Sequence, residues 1–356
     1  MTEPLRSLRA TATEPLPAIT SVASLEALLA TPSDALVADM SALTGDLMLL
    51  GAGGKMGPSL ALLARNALDA AGNGAQVIAV SRFSDEAAAR RLQDAGVRVV
   101  RADLLDDEQL AKLPDAANVI YMAAMKFGST GQEPRTWAMN TYLPGKVAER
   151  YREARIVAFS TGNVYPLSPL TSGGPTEDDP TGPVGEYAQS CLGRERMFQY
   201  FSELHGTPVT LLRLNYAVEL RYGVLVDLAL AVLDGKPIDL AMGQVNVIWQ
   251  GDANEVALRS IALCSAPATI LNLTGPETAS VRKLAERLGA RLGKEPVFTG
   301  EEQGTALLND ASRCHALFGY PRVALNTAVD WVADWLTAGG ETHGKPTKFQ
   351  VRTGKF

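Results

Sequence analysis

The chain has 356 residues, of which 46% are hydrophobic, 20% charged and 6% aromatic, a composition typical of a globular protein and not of a disordered chain or coiled coil. A net charge of −6 gives no basic footprint for nucleic acid or an anionic membrane. Three cysteines, Cys191, Cys264 and Cys314, match no zinc-ligand spacing, so we expect free thiols and no structural metal. We find no signal-peptide core or bilayer-spanning apolar run, and expect a cytoplasmic protein.

Residues 1–45 precede the first strand pattern and are predicted to be an N-terminal extension. They contain Pro-rich turns and one weak amphipathic stretch at 24–30. The sequence Thr-Pro-Ser-Asp at 31–34 is typical of a helix start. We interpret this segment as an appended cap or interface element.

From residue 46 to residue 213, short apolar runs alternate with helix-length segments. The runs lie at 47–50, 76–80, 97–100, 118–122, 155–159 and 208–213. Buried parallel strands read as continuous apolar runs, and intervening helices imply right-handed crossovers. The sequence therefore predicts an α/β fold, with a Rossmann-like, doubly wound parallel sheet in this domain.

Residues 214–337 alternate more loosely and are predicted to form a smaller C-terminal α/β lobe that binds the substrate. Apolar runs at 245–250 and 269–273 accompany helical patterns at 252–264, 280–293 and 326–336. Whether this lobe interleaves with the first domain stays open. Trp331 and Trp335, one helical turn apart, are predicted to pack in the core. Residues 338–356 lack apolar periodicity and are predicted to be an extended tail on the surface.

A glycine-rich loop follows the first predicted strand and opens a helix. Residues without a Cβ let backbone N–H groups approach a pyrophosphate at a helix N-terminus. Since both the strand and the helix are present, we predict that this loop binds a dinucleotide. Its residues are Gly51, Gly53, Gly54, Lys55, Met56 and Gly57.

The end of the second strand indicates which dinucleotide is preferred. NAD-binding proteins typically carry an acid there for the ribose 2′-hydroxyl, whereas this chain has Ser81 and Arg82. A hydroxyl and a guanidinium suit a 2′-phosphate. We expect NADP or NAD as the cofactor and favour NADP, with a solvated surface role for Arg82 as the open alternative. Asp103 and Leu104 follow the third strand, where the adenine edge is expected.

Several motifs in order along the chain carry a resemblance to a known family. They are the glycine pattern at 51–57, residues 103–106, residues 122–128, Asn140, residues 159–166 and Tyr187. Together they resemble the extended short-chain dehydrogenase/reductase superfamily, the NAD(P)-dependent epimerase/dehydratase family whose best-known member is UDP-galactose 4-epimerase. The resemblance covers roughly residues 46–337.

The resemblance implies a role for each matching position. Thr161 corresponds to the catalytic serine or threonine that hydrogen-bonds the reacting oxygen. Tyr187 corresponds to the tyrosine that exchanges a proton with the substrate hydroxyl while hydride moves to or from the nicotinamide. The residues that correspond to the loop beside the cofactor, and to the helix residue that supports the site, are Ala123, Ala124, Lys126 and Asn140.

One position departs from the family pattern Tyr-x-x-x-Lys, because Cys191 stands four residues after Tyr187. A neighbouring cation lowers the pKa of an acid by ~1–3 units, so its loss should make the phenolate scarce at neutral pH. Three explanations stay open: Lys126, Arg194 or Arg196 replaces the lysine, the chemistry is slow or altered, or only nucleotide binding remains. We expect both arginines to face solvent and Cys191 to be a half-buried filler and not a nucleophile.

The sequence says less about the substrate than about the cofactor. Related 4,6-dehydratases carry Thr-Asp-Glu where this chain has Thr161-Gly162-Asn163, so the carboxyl groups that elimination needs are absent. Asn163, Asn215 and Arg221 are candidate substrate contacts near the carboxyl ends of strands. Asp252 is predicted to be a helix N-cap.

These observations predict an NAD(P)-dependent oxidoreductase or epimerase that is not a 4,6-dehydratase. It would act on a sugar-like or other small carbonyl or alcohol substrate, with Tyr187 and Thr161 as the proton-handling pair. The alternative is a catalytically impaired nucleotide-binding sensor or scaffold. By analogy with the family, a homodimer would form through the helices that bear Asn140 and Tyr187.

Overall fold

The computed structural model describes residues 18–126 and 131–355. The Pro-rich start of the extension and the last two residues of the 122–128 motif lie outside the described residues. No helix in the described ranges is long and apolar enough to cross a membrane.

The strands and helices are numbered here in chain order. The strands are β1 (Leu47–Leu50), β2 (Val77–Ser81), β3 (Arg98–Arg101), β4 (Asn118–Tyr121), β5 (Arg155–Thr161), β6 (Ser168–Pro169), β7 (Val209–Leu214), β8 (Ala217–Val218), β9 (Pro237–Asp239), β10 (Gln244–Val245), β11 (Ile248–Trp249), β12 (Thr269–Leu273), β13 (Ala279–Ser280), β14 (Val297–Thr299) and β15 (Thr305–Ala306). The helices are α1 (Val22–Leu29), α2 (Asp34–Ser41), α3 (Gly57–Ala70), α4 (Glu86–Asp94), α5 (Asp107–Ala111), α6 (Glu133–Trp137), α7 (Leu143–Arg150), α8 (Gly185–His205), α9 (Val224–Asp234), α10 (Gln250–Arg259), α11 (Val281–Leu292), α12 (Ser312–Phe318) and α13 (Leu325–Thr337).

Seven parallel strands form the main sheet, in the order β12-β7-β5-β4-β1-β2-β3. The central strands β1 and β4 are buried along their whole length, as expected for a sheet that helices cover on both faces. The strand order reverses between β1 and β4, which places a topological switch point between them. The predicted Rossmann-like, doubly wound fold is confirmed.

The C-terminal half of the chain contributes to this layer as well as to its own core. The apolar run at 269–273 forms β12 at the edge of the main sheet, beside β7. Helix α10 packs on α3, where the side-chain amides of Gln250 and Asn254 both donate to Ser59 Oγ. A separate apolar core lies among α9, α11 and α13, and Trp335 is buried in it as predicted.

The first two described helices pack against both cores, and the described part of the tail packs against the C-terminal core. Leu25 and Leu29 of α1 lie in the C-terminal core, whereas Leu36 and Met40 of α2 pack with the Rossmann layer. The prediction that the tail lies wholly on the surface is wrong, because Phe349 is buried in the C-terminal core.

Candidate active site

The loop after β1 is shaped by its glycines. Gly51 has φ +96°, and a Cβ there would lie 2.6 Å from the backbone nitrogen of Ala123. At Gly57 a Cβ would lie 2.2 Å from the carbonyl oxygen of Ala52. The loop therefore closes tightly at the N-terminus of α3, and the N-terminus of a helix offers backbone N–H groups to an anion. This shape fits a dinucleotide pyrophosphate.

A cavity of about 560 Å³, here called the nucleotide cavity, opens beside this loop. It lies at the carboxyl ends of β1, β2, β3 and β4, where doubly wound sheets bind ligands. The predicted cofactor residues that line it are Gly51, Gly53, Gly54, Ser81, Arg82, Asp103, Leu104, Ala123 and Ala124.

The side chains after β2 determine the chemistry at one end of the nucleotide cavity. Ser81 and the exposed Arg82 line it. The neighbouring Arg101 is occupied elsewhere, since it donates to the carbonyl oxygen of Phe83 and to Glu86. Asp103 also lines the cavity, but one of its carboxylate oxygens accepts from the backbone N–H of Leu105.

A second cavity of about 390 Å³, here called the reaction cavity, continues from the first and shares the lining residues Gly51, Gly54, Met122 and Ala124 with it. The other predicted site residues that line it are Lys55, Met56, Lys126, Thr161, Asn163, Tyr187 and Asn215. Of the remaining predicted residues, Gly57, Asn140, Cys191 and Arg221 line neither cavity.

Tyr187, from the first turns of α8, meets Thr161 at the end of β5. Its hydroxyl has the side chains of Thr161 and Cys191 as hydrogen-bond partners. Thr161 Oγ1 also accepts from the backbone and side-chain nitrogens of Asn163, at 3.2 and 3.0 Å. The predicted proton-handling pair is thus in contact inside the reaction cavity.

Burial has the largest effect on the pKa values of Tyr187 and Cys191. It raises the pKa of Tyr187 well above its ordinary value, with Cys191 adding to the rise, whereas Arg194 and Thr161 lower it. Burial also raises the pKa of Cys191. Cys191 is fully buried and not half-buried as expected, because it packs behind Tyr187 against Val164 and Tyr165. At neutral pH it is therefore a neutral thiol.

Two cations lie near Tyr187 in place of a lysine at position 191. The ammonium of Lys126 is 5.7 Å from the centre of the Tyr187 ring. Arg194 is only 3% exposed, so the expectation that it faces solvent is wrong. Seven residues make nearly two helical turns, which puts Arg194 on the same face as Tyr187. Arg196 lies on the opposite, exposed face as expected.

Asn140 holds Arg194 and the loop after β4 together. Its Oδ1 accepts from Arg194 Nη2 at 3.1 Å and from the Met125 backbone N–H at 2.8 Å. Its Nδ2 donates to the Met125 carbonyl and to Ser190 Oγ. A π-helical segment, Ala138–Tyr142, presents this residue, and such segments are frequent at functional sites. Asn140 thus supports the site from behind and lines neither cavity.

Sequence analysis missed a buried ion pair beneath the site. Arg213 Nη2 lies 2.8 Å from Glu195 Oε2, and both side chains are buried. Ser160 Oγ donates to Glu195, and Arg213 Nη1 donates to the Tyr165 hydroxyl. The sequence could have indicated this pair, because an arginine at the end of the apolar run 208–213 needs a partner when it is buried. This network fixes β5 and β7 next to Thr161.

Sequence analysis also missed the contribution of the tail. Thr347 lines the reaction cavity, held by Asp227, whose Oδ2 accepts from the Thr347 backbone N–H at 2.8 Å and from its hydroxyl at 2.5 Å. Tyr216 also lines the cavity with a φ of +45°, a strained conformation of the kind that clusters at functional sites.

Two predicted residues have other roles. Arg221 pairs with Glu26 of α1 and with Glu219, at 3.2 Å in each case, outside both cavities. Asp252 accepts from the Val323 backbone N–H and pairs with Arg322. Because α10 begins at Gln250, Asp252 lies inside the helix, and its predicted N-cap role is wrong. No cluster of three or more His, Cys, Asp or Glu side chains that could hold a metal occurs within the described ranges.

Comparisons with known proteins agree with this geometry. Residues 48–219 match the model of the NAD dependent epimerase/dehydratase family. No curated protein matches the chain significantly by sequence. The solved structure of MoeE5 in complex with UDP-glucose and NAD is similar, with 21% identity and a TM-score of 0.68 over 83% of this chain and 99% of that one.

Two further solved structures share the fold. UDP-glucuronic acid 4-epimerase from Bacillus cereus, in complex with UDP-glucuronic acid and NAD, is 19% identical with a TM-score of 0.69, over 82% of this chain and 99% of that one. A double mutant of DesIV, a dTDP-glucose 4,6-dehydratase from Streptomyces venezuelae with NAD bound, is 20% identical with a TM-score of 0.69. The match covers 82% of this chain and 96% of that one.

Proposed function

We propose that this chain, whose residues 48–219 belong to the NAD dependent epimerase/dehydratase family, is an NAD(P)-dependent oxidoreductase or epimerase acting on a small carbonyl or alcohol compound. The observation that carries the proposal is the contact between Tyr187 and Thr161 in a cavity continuous with the glycine loop. This contact supports a proton donor and a polar clamp at the end of a dinucleotide bound by that loop.

In the proposed reaction, a bound nicotinamide cofactor accepts or supplies the hydride. Tyr187 passes its hydroxyl proton to the substrate oxygen or takes one from it, and Thr161 orients that oxygen by a hydrogen bond. Lys126 and Arg194 favour the phenolate, in place of a lysine at position 191. Gly162 and Asn163 bring no carboxyl group to the cavity, so we do not propose a 4,6-dehydratase.

We propose NADP as the preferred cofactor. The similar structures reported above contain NAD, so the preference rests on Ser81 and Arg82 at the end of β2. The guanidinium of Arg82 is exposed at the nucleotide cavity and can form paired hydrogen bonds with a phosphate.

Nucleotide binding and turnover test the proposal separately. The purified, nucleotide-stripped protein is titrated with NADPH and with NADH by fluorescence, and the binary complex is then screened with sugars, sugar acids and polyols. We expect micromolar binding of one nucleotide and oxidation or reduction of at least one compound. Failure of both nucleotides to bind at millimolar concentration would contradict the proposal.

A second candidate function is a nucleotide-binding sensor or scaffold without turnover. The raised pKa of Tyr187 and the neutral thiol of Cys191 favour it. Tight nucleotide binding without turnover across the screen would support this reading.

We also propose a homodimer formed through α7 and α8. Tyr142, Tyr200 and Leu204 are each more than half exposed on this side of the molecule, and large exposed apolar side chains in one region are typical of interfaces. A solution mass equal to one chain would contradict this proposal.

A further inference from the structure

The tail joins the C-terminal core to the start of helix α8. On the side of the core, Thr347 is hydrogen-bonded to α9 and Phe349 is buried. Arg352 donates to the carbonyl oxygen of Thr305 at 2.7 Å and to Thr305 Oγ1 at 2.6 Å. It also donates to the carbonyl oxygen of Ala241 at 2.9 Å. These contacts fix the tail before it reaches α8.

The far end of the tail lies against the backbone just before Tyr187. A Cβ at Gly185, the first residue of α8, would lie 2.6 Å from the carbonyl oxygen of Gly354, and a Cβ at Gly354 would overlap the carbonyl oxygen of Val184. Gly185 has φ +84° and Gly354 has φ +72°, a region that glycine adopts without strain. Two glycines therefore allow the tail to lie directly against the first turn of α8, two residues from Tyr187.

Val351 of the tail covers the apolar cluster that contains Tyr187. This cluster consists of Val164, Tyr165, Tyr187 and Cys191, and the half-buried Val351 packs against it. Tyr187 is 7% exposed and Cys191 is 0% exposed. Neither Val351 nor Cys191 lines the reaction cavity, so the tail contributes to the burial of the tyrosine outside that cavity.

The tail also forms part of the wall of the reaction cavity. Thr347 lines this cavity together with Tyr187 and Thr161. Arg352 and Gly354, which hold the tail at its two sides, line neither cavity. A change at either residue therefore acts on Tyr187 and Thr161 through the tail and not by direct contact.

We propose that the tail positions Tyr187 for the reaction: seated between Thr305 and Gly185, it holds the start of α8 in place and keeps water out of the space behind the phenol. Arg352 and Gly354 are positioning residues, because they touch no reacting atom. A general acid or base must lie within hydrogen-bond reach of the proton that it transfers, so the seat of the tail matters to the chemistry. The inference rests on the proposed function for turnover, but the seat itself can be measured without turnover.

Alkylation of Cys191 by iodoacetamide tests the seat of the tail. The full chain is treated with the reagent, and the rate of modification at each cysteine is measured by mass spectrometry. Gly354→Val and Arg352→Met should each raise the rate at Cys191 about tenfold or more, because a buried thiol that gains access to water becomes more reactive. Cys314, buried in a different apolar core, is the internal reference and should stay slow. Equal acceleration at both cysteines would mean general loosening of the fold and would count against the proposal.

Each substitution has a matched control in the tail. Gly344 has φ +60° and, apart from its chain neighbours, no described heavy atom lies within 4 Å of a Cβ there, so Gly344→Val imposes similar backbone strain without a clash. Lys355→Met removes a positive charge from an exposed tail residue that lines neither cavity. Both controls should leave the rate at Cys191 unchanged. The same rate at Cys191 in Gly354→Val, Arg352→Met and their controls would overturn the proposal.

Turnover distinguishes positioning from packing alone. With a compound that the unmodified protein turns over, Gly354→Val and Arg352→Met should lower kcat about tenfold or more, since a displacement of ~1 Å can be costly in a catalytic group. The affinity for NADPH or NADH should stay unchanged. Burial raises the pKa of Tyr187, so the limb of the pH profile that reports Tyr187 should move to lower pH.

Two outcomes separate this inference from the proposed function. Faster alkylation of Cys191 with unchanged kcat and an unchanged pH profile would overturn the positioning role and leave the proposed function standing. Absence of turnover by the unmodified protein, despite bound nucleotide, would contradict the proposed function and with it a role of the tail in a reaction. The alkylation rates would then still decide whether the tail holds the cluster around Tyr187 closed.

Discussion

The ammonium of Lys126 lies 5.7 Å from the centre of the Tyr187 ring, so a loop, and not position 191, brings this positive charge to the tyrosine. Arg194, two turns further along that helix, adds a second cation, and its charge lowers the pKa of Tyr187. Cys191 fills the intervening space as a buried thiol. These contacts favour replacement of the lysine over loss of the site.

Cys191→Lys should lower both stability and turnover. A lysine at this fully buried position would bring a third cation towards Arg194 and Lys126, and an unpaired buried charge costs about 3 kcal/mol or more. Urea unfolding and turnover measure the two effects, and Cys191→Ser is the control that keeps the size of the side chain. A large gain of turnover in Cys191→Lys would instead mean that the natural site is disabled.

Arg194→Met should destabilise the fold by about 1–3 kcal/mol, because it removes the Arg194 donor from the buried Phe159 carbonyl and one of the two donors to Asn140 Oδ1. Turnover should fall as well, since the loop that carries Lys126 loses part of its support. Arg196→Met on the exposed face is the matched control and should change the free energy of unfolding by no more than about 0.5 kcal/mol. Equal effects of the two substitutions on urea unfolding would contradict the role given to Arg194.

Arg82→Ala should weaken NADPH binding about tenfold or more and leave NADH binding unchanged, because only the 2′-phosphate requires the guanidinium. Fluorescence titration measures both affinities. Arg90→Ala, also exposed but outside the nucleotide cavity, is the control. Parallel losses for both nucleotides in Arg82→Ala would remove the argument for NADP.

The lysines of the reaction cavity should make stability depend on pH. The lowered pKa values of Lys126, about 8, and Lys55, about 7, lie below the ordinary 10.5 of an unfolded lysine. Between about pH 7 and 10.5 the unfolded chain therefore binds more protons than the folded one, and the free energy of unfolding rises with pH. Lys55→Met and Lys126→Met should reduce this rise between about pH 7 and pH 9 in urea unfolding. Lys355→Met should not alter it, and equal slopes in all the variants would refute the assignment.

The sheet and the glycine loop could be predicted because local chemistry determines them. Strands β1 and β4 are buried on both faces and read as apolar runs, and only glycine fits beside Ala123 at position 51. The first strand was predicted with its observed bounds. Edge strand β12 was assigned to the C-terminal lobe, because an apolar run does not say which strand it pairs with.

The surroundings of Tyr187 could be predicted only in part. The burial of Arg194 depends on acceptors at Phe159 and Asn140, which come from other elements of the fold. Thr347 belongs to a tail without apolar periodicity, and its place in the cavity is determined by Asp227 on α9. Contacts between segments so far apart leave no local pattern in the sequence.

The most direct measurement is turnover by Tyr187→Phe beside Tyr200→Phe, with both nucleotides and a panel of sugars, sugar acids and polyols. Tyr200 is the matched control, since it lies on the same helix but is 55% exposed. We predict that Tyr187→Phe loses turnover at least about a hundredfold while nucleotide binding persists, and that Tyr200→Phe keeps both. Full turnover in Tyr187→Phe, or none by the unmodified protein despite bound nucleotide, would contradict the account.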